Sequence, residues 1–149
     1  MYLCGMKSES IHKISSSALL SIINVEKNNS GANFTIKSKK TNKDYTYKIS
    51  RNLYKNNWYT HIYVETDYLN FIRLGSYFKG FLYNKGQKVD SPSANAIVWV
   101  LRTIENDKVS VVDENVDVMH TGHCLRCGRE LTDAVSIEIG LGAVCRSGK

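Results

Sequence analysis

The chain has 149 residues, 42% of them apolar, and a formal net charge of +6. This length suits one domain, or one domain with a small appendage, and a single Pro beside ten Gly argues against a fibrous or disordered chain. No apolar run approaches the roughly 20 residues that span a membrane, and the first residues lack the pattern of a signal peptide. The sequence therefore predicts a cytosolic protein.

The first predicted element is a helix within residues 15–26. It opens with a run of Ser, a residue type that caps helices, and apolar residues then recur at helical spacing. These apolar residues are Ala18, Leu19, Ile22 and Ile23.

An alternating pattern then predicts antiparallel strands. Apolar or aromatic side chains recur at every second position in residues 34–38 and 45–49, on either side of a turn at residues 40–43, which indicates a β-hairpin. Residues 58–64 continue this alternation as a third candidate strand, and a fourth candidate lies within residues 69–78. Because consecutive strands joined by short turns pair with their neighbours, the sequence predicts an antiparallel meander.

The clearest helix is predicted over residues 91–105, where Ser91 is a suitable N-cap and Pro92 suits the first helical position. Its apolar stripe, which predicts packing on the sheet, consists of Ala94, Ile97, Val98, Leu101 and Ile104. Residues 109–112 are one more candidate strand, and residues 113–115 have the composition of a linker.

Three of the four Cys lie close together near the C-terminus. Cys124 and Cys127 form a C-x2-C pair followed directly by Gly128, and Cys145 comes after seventeen further residues. Two thiolates at this spacing can reach one ion from a tight turn, and Gly permits the backbone of that turn. In a reducing cytosol this cluster favours metal over disulfides. We therefore predict a zinc ion.

His120 and His123 are the two candidates for the fourth zinc ligand. His123 adjoins Cys124, and adjacent side chains point apart, whereas His120 lies four residues before Cys124 with Gly122 between them. We favour His120. Catalytic zinc keeps an open position for water, so four protein ligands predict a structural ion. The predicted ligand set is His120, Cys124, Cys127 and Cys145.

These elements together predict an α+β fold in two parts. Residues 1–112 would form a basic domain, an antiparallel β-meander flanked by two helices. Residues 113–149 would form a small zinc-ribbon or zinc-finger-like element. The charge is divided in the same way, because residues 1–110 hold sixteen Lys and Arg against eight Asp and Glu, whereas residues 111–149 hold four against six.

The C-terminal segment resembles a zinc element of phage and prophage proteins, with the form C-x2-C-G-R-x-L-T-D…S-x3-G-x-G-x2-C. The matching residues are Cys124, Cys127, Gly128, Arg129, Leu131, Thr132, Asp133, Ser136, Gly140, Gly142 and Cys145. The family often has Pro where this chain has Ala134 and Ala143. The whole chain is similar to anti-CRISPR metalloproteins of streptococcal prophages. This resemblance implies a partner, a type II RNA-guided CRISPR nuclease, and a location in the cytoplasm of the bacterial host.

A second candidate site is the predicted hairpin, which is rich in basic and aromatic residues. Its candidate partner-binding residues are Lys37, Lys39, Lys40, Lys43, Lys48 and Arg51. Such a surface can bind nucleic acid by phosphate contact and base stacking, or an acidic protein surface. The third interpretation is a solvated face whose Lys residues protect strand edges.

No catalytic set is evident in the sequence. There is no G-x-S-x-G motif, no phosphate-binding Gly loop and no deaminase signature. We therefore predict that the protein is not an enzyme and has no small-molecule substrate. The expected function is inhibition of a type II CRISPR nuclease by blocking its DNA loading or activation. The alternative is a zinc-containing, nucleic-acid-binding phage accessory protein.

Overall fold

The fold is known from a computed structural model that describes residues 11–27, 29–67 and 70–146. The strands are β1 His12–Ile14, β2 Asn29–Ser30, β3 Phe34–Ser38, β4 Asp44–Tyr54, β5 Asn57–Asp67, β6 Asn70–Phe78, β7 Phe81–Asn84, β8 Gln87–Lys88 and β9 Val116–His120. The helices are α1 Ala18–Ile23, α2 Pro92–Glu105, α3 Val109–Asn115, α4 Ala134–Ile139 and α5 Ala143–Arg146. None of the described helices is long and apolar enough to cross a membrane.

The strands form one antiparallel sheet in the order β1-β9-β3-β4-β5-β6-β7-β8, with β2 paired to β4. The predicted meander is confirmed from β3 to β6, and the predicted hairpin has Phe34 opposite Tyr47. The sheet also extends to β7 and β8, which the sequence analysis did not predict. The fold is therefore mixed α+β with a large antiparallel sheet.

The sheet has one buried face and one face turned to solvent. In β4 and β5 the buried positions alternate with half-buried or exposed ones, as expected for strands covered on one side. Helices α1 and α2 both lie on the buried side: the Tyr47 hydroxyl donates to the Ser93 carbonyl at the start of α2, and the Thr60 hydroxyl donates to the Ile23 carbonyl of α1. The core therefore lies between these helices and one face of the sheet.

Both predicted helices are present. The apolar residues predicted for α1 are its buried residues, although the Ser17 side chain makes no capping bond. Helix α2 begins as predicted, because the Ser91 side chain accepts a hydrogen bond from the Ala94 N–H and Pro92 occupies the first turn. Local signals thus located both helices.

The candidate strand over residues 109–112 was wrong, because these residues begin α3. The β-branched run favours a strand, but Val109 and Val112, three residues apart, face the core while Val111 is exposed. The expected linker is also part of this helix, and its Asp113 accepts a hydrogen bond from the Ser16 N–H. Tertiary contacts therefore override the local strand preference.

The segment with the Cys cluster begins inside the sheet. Strand β9 pairs with β1 on one side and with β3 on the other, and His12 and Phe34 both lie opposite His120. This pairing fixes where the chain leaves the sheet, four residues before Cys124.

Candidate metal centre and binding face

Three thiols meet where the sequence predicted a metal site. The Sγ atoms of Cys124, Cys127 and Cys145 all lie within 4.8 Å of one another. Cys124 and Cys145 are buried, whereas Cys127 is exposed. The arrangement is compatible with a metal site.

A tight turn positions the first two thiols. The Gly128 N–H donates to the Cys124 carbonyl at 2.8 Å, and Gly128 has a φ of 81°, a left-handed conformation that favours Gly. The Cys124 N–H in turn donates to the Arg129 carbonyl at 2.8 Å. Backbone hydrogen bonds within and next to the C-x2-C-G sequence therefore define its turn.

The third thiol is placed by two short helices. The Asp133 side chain caps α4 by accepting from the Ser136 N–H, and Gly140 ends the helix with a φ of 86°. The chain then reverses into α5, which contains Cys145. The Gly140 carbonyl accepts from the Leu125 N–H at 3.0 Å, so the two halves of the cluster are joined through the backbone.

The surroundings of Cys124 suit an anionic sulfur. Burial opposes ionisation, but N–H groups of Gly142, Cys127 and Arg126 point at the sulfur and hold the thiol pKa below its ordinary value. Burial and the neighbouring thiols raise the pKa of Cys145 to about 12. Three thiols with N–H donors at one sulfur are the chemistry expected of a metal-thiolate site.

The structure does not bring His120 or His123 into the thiol cluster. His120 is 1% exposed, and both of its ring nitrogens are hydrogen-bonded. Nδ1 accepts from the Gly122 N–H at 2.9 Å, and Nε2 lies 2.7 Å from the Ile137 carbonyl. Since a carbonyl only accepts, Nε2 carries the proton and the ring is the neutral tautomer. Burial also lowers the His120 pKa.

The thiol segment packs firmly against the rest of the protein. Leu125, Leu131 and Leu141 belong to the same hydrophobic core as the sheet and helices. Arg126, although charged, is buried and donates to the Cys145 carbonyl at 2.9 Å. The segment thus shares its core with the sheet.

The predicted basic hairpin is divided by the structure. Arg51 is only 9% exposed, because its side chain faces the core and donates to the Val25 carbonyl at 2.7 Å and to the Thr60 hydroxyl at 2.9 Å. Lys39 donates to the Asp113 carbonyl and lies 3.8 Å from Asp117. Lys40 and Lys43 are exposed at the turn, and Lys37 and Lys48 are half-buried. The six cations therefore do not form one surface.

The solvent side of β4, β5 and β6 carries a different group of residues, which we call the aromatic face. Its members are Lys48, Tyr54, Tyr59, His61, Tyr63, Phe71 and Arg73. The register places Lys48 opposite Tyr63, and Tyr63 opposite Arg73. The Tyr59 and His61 rings are stacked, with centroids 6.3 Å apart and an interplanar angle of 6°.

Polar contacts hold the cations of the aromatic face in place. Arg73 Nη2 donates to the Ser76 hydroxyl at 2.8 Å and lies 3.3 Å from His61 Nδ1. Lys48 Nζ lies 5.1 Å from the centre of the Phe71 ring. Burial and the nearby Arg73 lower the pKa of His61, which favours the neutral ring. In the described chain neither Lys48 nor Arg73 forms an ion pair.

Most of the aromatic face was not predicted from the sequence. The alternation in residues 58–64 identified the apolar side of β5, yet the intervening positions in that range, Tyr59, His61 and Tyr63, are all aromatic. An uninterrupted aromatic series on the second side of a strand is the signal that could have found this face.

Comparison with known protein families gives a match to part of the chain. A family of unknown function, DUF6011, matches residues 116–148, which include β9 and the thiol cluster. No curated protein and no solved structure matches the chain.

Proposed function

We propose that this protein acts by binding, not by catalysis, and that the aromatic face binds single-stranded nucleic acid. The observation that carries the proposal is the row of Tyr59, His61 and Tyr63 along β5, on the solvent side of the sheet, with the cations Lys48 and Arg73 on either side of Tyr63. Sheets of this kind bind single strands because bases stack on aromatic rings while cations contact phosphates.

The exposure of the rings supports stacking. Tyr54 is 56% exposed and Tyr59 is 36% exposed, and their rings meet edge to face at 6.2 Å. A neutral His61 stacked on Tyr59 extends the apolar surface toward Arg73. A single-stranded nucleic acid lying along β5 would therefore contact the aromatic rings of β5 and the Arg73 guanidinium on the neighbouring strand β6.

The test is binding of labelled single-stranded DNA and RNA at several salt concentrations. We expect Tyr59→Ala to weaken binding by about 1–3 kcal/mol, or about 5- to 150-fold, because one stacking platform is lost. Tyr59→Phe keeps the ring and should retain affinity. Trp99→Ala is the matched control, since Trp99 lies on α2, beyond the other side of the sheet.

Charge is tested by the salt dependence of the same assay. Each phosphate contact contributes a slope of about −0.7 in log K against log salt for single strands. Arg73→Gln should reduce the slope by about that amount, whereas Lys108→Gln, an exposed cation beside α3, should leave it unchanged. Negligible binding at low salt, or equal loss in the control variants, would overturn the proposal.

We further propose that the three thiols hold a structural zinc ion, which makes the C-terminal segment a zinc-ribbon-like element. His120 remains our choice of fourth ligand. Metal-bound His usually donates its other ring N–H to a carbonyl or carboxylate, and the contact of His120 Nε2 with the Ile137 carbonyl suits that role. Binding through Nδ1 would then replace the bond from the Gly122 N–H.

Metal analysis and cobalt substitution test the zinc proposal. We expect one zinc per chain, and a cobalt-loaded protein whose absorption spectrum is that of thiolate ligands with one nitrogen. His120→Ala should change this spectrum, and His123→Ala should not. A protein that binds no zinc refutes the ion, and a spectrum altered only by His123→Ala assigns the fourth position to His123.

A second candidate function is inhibition of a type II CRISPR nuclease in the host cytoplasm. It is favoured by the motif from Cys124 to Cys145, which resembles the zinc element of phage proteins. A basic protein is a poor mimic of DNA, so we expect docking on a protein surface of the nuclease. Pull-down of the nuclease with and without guide RNA, paired with a cleavage assay, tests this candidate, and no retained complex in either state refutes it.

A further inference from the structure

A groove lies along one side of α2, where the helix approaches the β7–β8 edge of the sheet. It has a volume of about 660 Å³ and runs between α2 and the segment that contains β7 and β8. Val89 and Val98 form apolar walls of the groove. Its lining also includes Phe81, Lys88, Trp99 and Arg102. We call it the Trp99 groove.

Trp99 is unusual among the apolar residues of α2. Ala94, Ile97 and Leu101 are buried against the core, whereas Trp99 is 41% exposed on the side of the groove. Exposed Trp beside a polar rim is characteristic of binding surfaces, because a large rigid ring gains much contact area when a partner covers it.

Two cations stand over one aromatic ring in the groove. Lys88 Nζ lies 3.9 Å from the centre of the Phe81 ring, and Arg102 Cζ lies 4.8 Å from it. Within the described ranges neither cation forms an ion pair. Both cations contact the same ring, so an anionic partner in the groove would gain contact with both.

The remaining walls favour a peptide over a polyphosphate chain. The groove is lined by Leu82 and two Val residues, and the acidic side chain of its lining, Asp90, accepts a hydrogen bond from Asn95 at 3.0 Å. Asp90 would repel a continuous row of phosphates but leaves room for spaced carboxylates. Next to the groove, β8 is the last strand of the sheet, and no described strand pairs with its outer edge. An extended peptide can pair with an open strand edge of this kind.

We propose that the Trp99 groove binds an acidic protein segment, with an apolar side chain of the partner against Trp99 and its carboxylates at Lys88 and Arg102. This surface is separate from the aromatic face and does not depend on nucleic-acid binding. It fits a protein partner whose docking segment is rich in Asp and Glu and carries a large apolar residue.

The probe is a short labelled peptide of Glu and Asp around a central Leu-Phe pair, added to the full chain. The protein has two Trp, so a Trp58→Phe background makes Trp99 fluorescence the reporter of the groove. We expect saturable binding with a change in Trp99 emission. A matched peptide with Gln and Asn in place of Glu and Asp should bind at least about tenfold more weakly, as expected when charge-assisted bonds to both cations are lost.

Variants separate the groove from the rest of the molecule. By fluorescence polarisation of the peptide, Trp99→Ala and Arg102→Gln should each weaken binding about tenfold or more, the size expected for central interface residues. The Tyr59→Ala variant should bind the acidic peptide with the affinity of the parent protein. The Trp99→Phe variant should fold and should retain part of the peptide affinity, because an aromatic ring remains in the groove. Absence of binding, equal affinity for the neutral peptide, or displacement of the acidic peptide by an oligonucleotide at lower concentration would each refute the proposal.

Discussion

Replacing Gly31 with Ala tests how closely the thiol segment is joined to the sheet. A Cβ at this position would lie 1.8 Å from the Leu125 carbonyl oxygen, whereas real Cβ contacts essentially never fall below 3.0 Å. The two backbones would have to separate by the difference, 3.0 − 1.8 = 1.2 Å. Leu125 lies inside the C-x2-C turn, so the strain acts directly on the thiol cluster.

The size of the effect follows from the kind of atom contacted. Overpacking costs typically about 1–3 kcal/mol, and a backbone carbonyl cannot move aside as a flexible side chain can, so we expect about 3 kcal/mol. For a chain of this size that corresponds to a fall of about 6–12 °C in melting temperature. Because we propose that the thiol cluster holds zinc, the variant should also retain less zinc after dialysis against a weak chelator.

Thermal unfolding followed by circular dichroism, with zinc content measured on the same samples, is the assay. Gly142→Ala is the matched control, because its Cβ would lie 3.7 Å from Leu131 Cδ2, an ordinary contact, and Gly142 also adjoins the thiol cluster. If Gly31→Ala has the same melting temperature and zinc content as the wild type, the close approach of the Gly31 and Leu125 backbones is not a feature of the folded protein.

Four further predictions concern stability. A strong zinc chelator should lower the melting temperature of the wild type. The Cys124→Ser variant should already melt at a lower temperature, and the chelator should not lower it further. An equal effect of the chelator on both proteins would contradict this prediction. Arg51→Met should cost about 2–3 kcal/mol in urea unfolding because two buried acceptors lose their donor, whereas Lys43→Met should change stability by less than about 0.5 kcal/mol. Burial raises the pKa of Tyr47, so the folded state keeps a proton that the unfolded phenol loses near pH 10. Stability should therefore fall as the pH rises above about 10, and Tyr47→Phe should flatten that decline in unfolding curves. Ser91→Ala removes the α2 cap and should cost about 1 kcal/mol by the same measurement.

Local sequence signals located much of the fold and the centre of the candidate site. The alternation in residues 34–38 and 45–49 found the hairpin, and Ser91 with Pro92 found the start of α2, because strand period and helix capping depend on neighbouring residues. The C-x2-C-G spacing likewise located a turn whose geometry is set within five residues. The approach of Cys145 followed from the chemistry of thiols and was confirmed.

The sequence alone determined the strands β3 to β6 and the alternation within the hairpin and β5, since both follow from the periodicity of the backbone. It did not determine what lies on each side of the sheet. Arg51 shares its side of β4 with Tyr47 and Ile49, but only the folded chain brings the Val25 carbonyl and Thr60 to receive it. The His120 ring is buried and hydrogen-bonded at both nitrogens, and one of the two partners is the carbonyl of Ile137, seventeen residues further along the chain. Contacts between distant segments decide which face of the sheet the helices cover. Because α1 and α2 cover the opposite face, the aromatic face is turned to solvent.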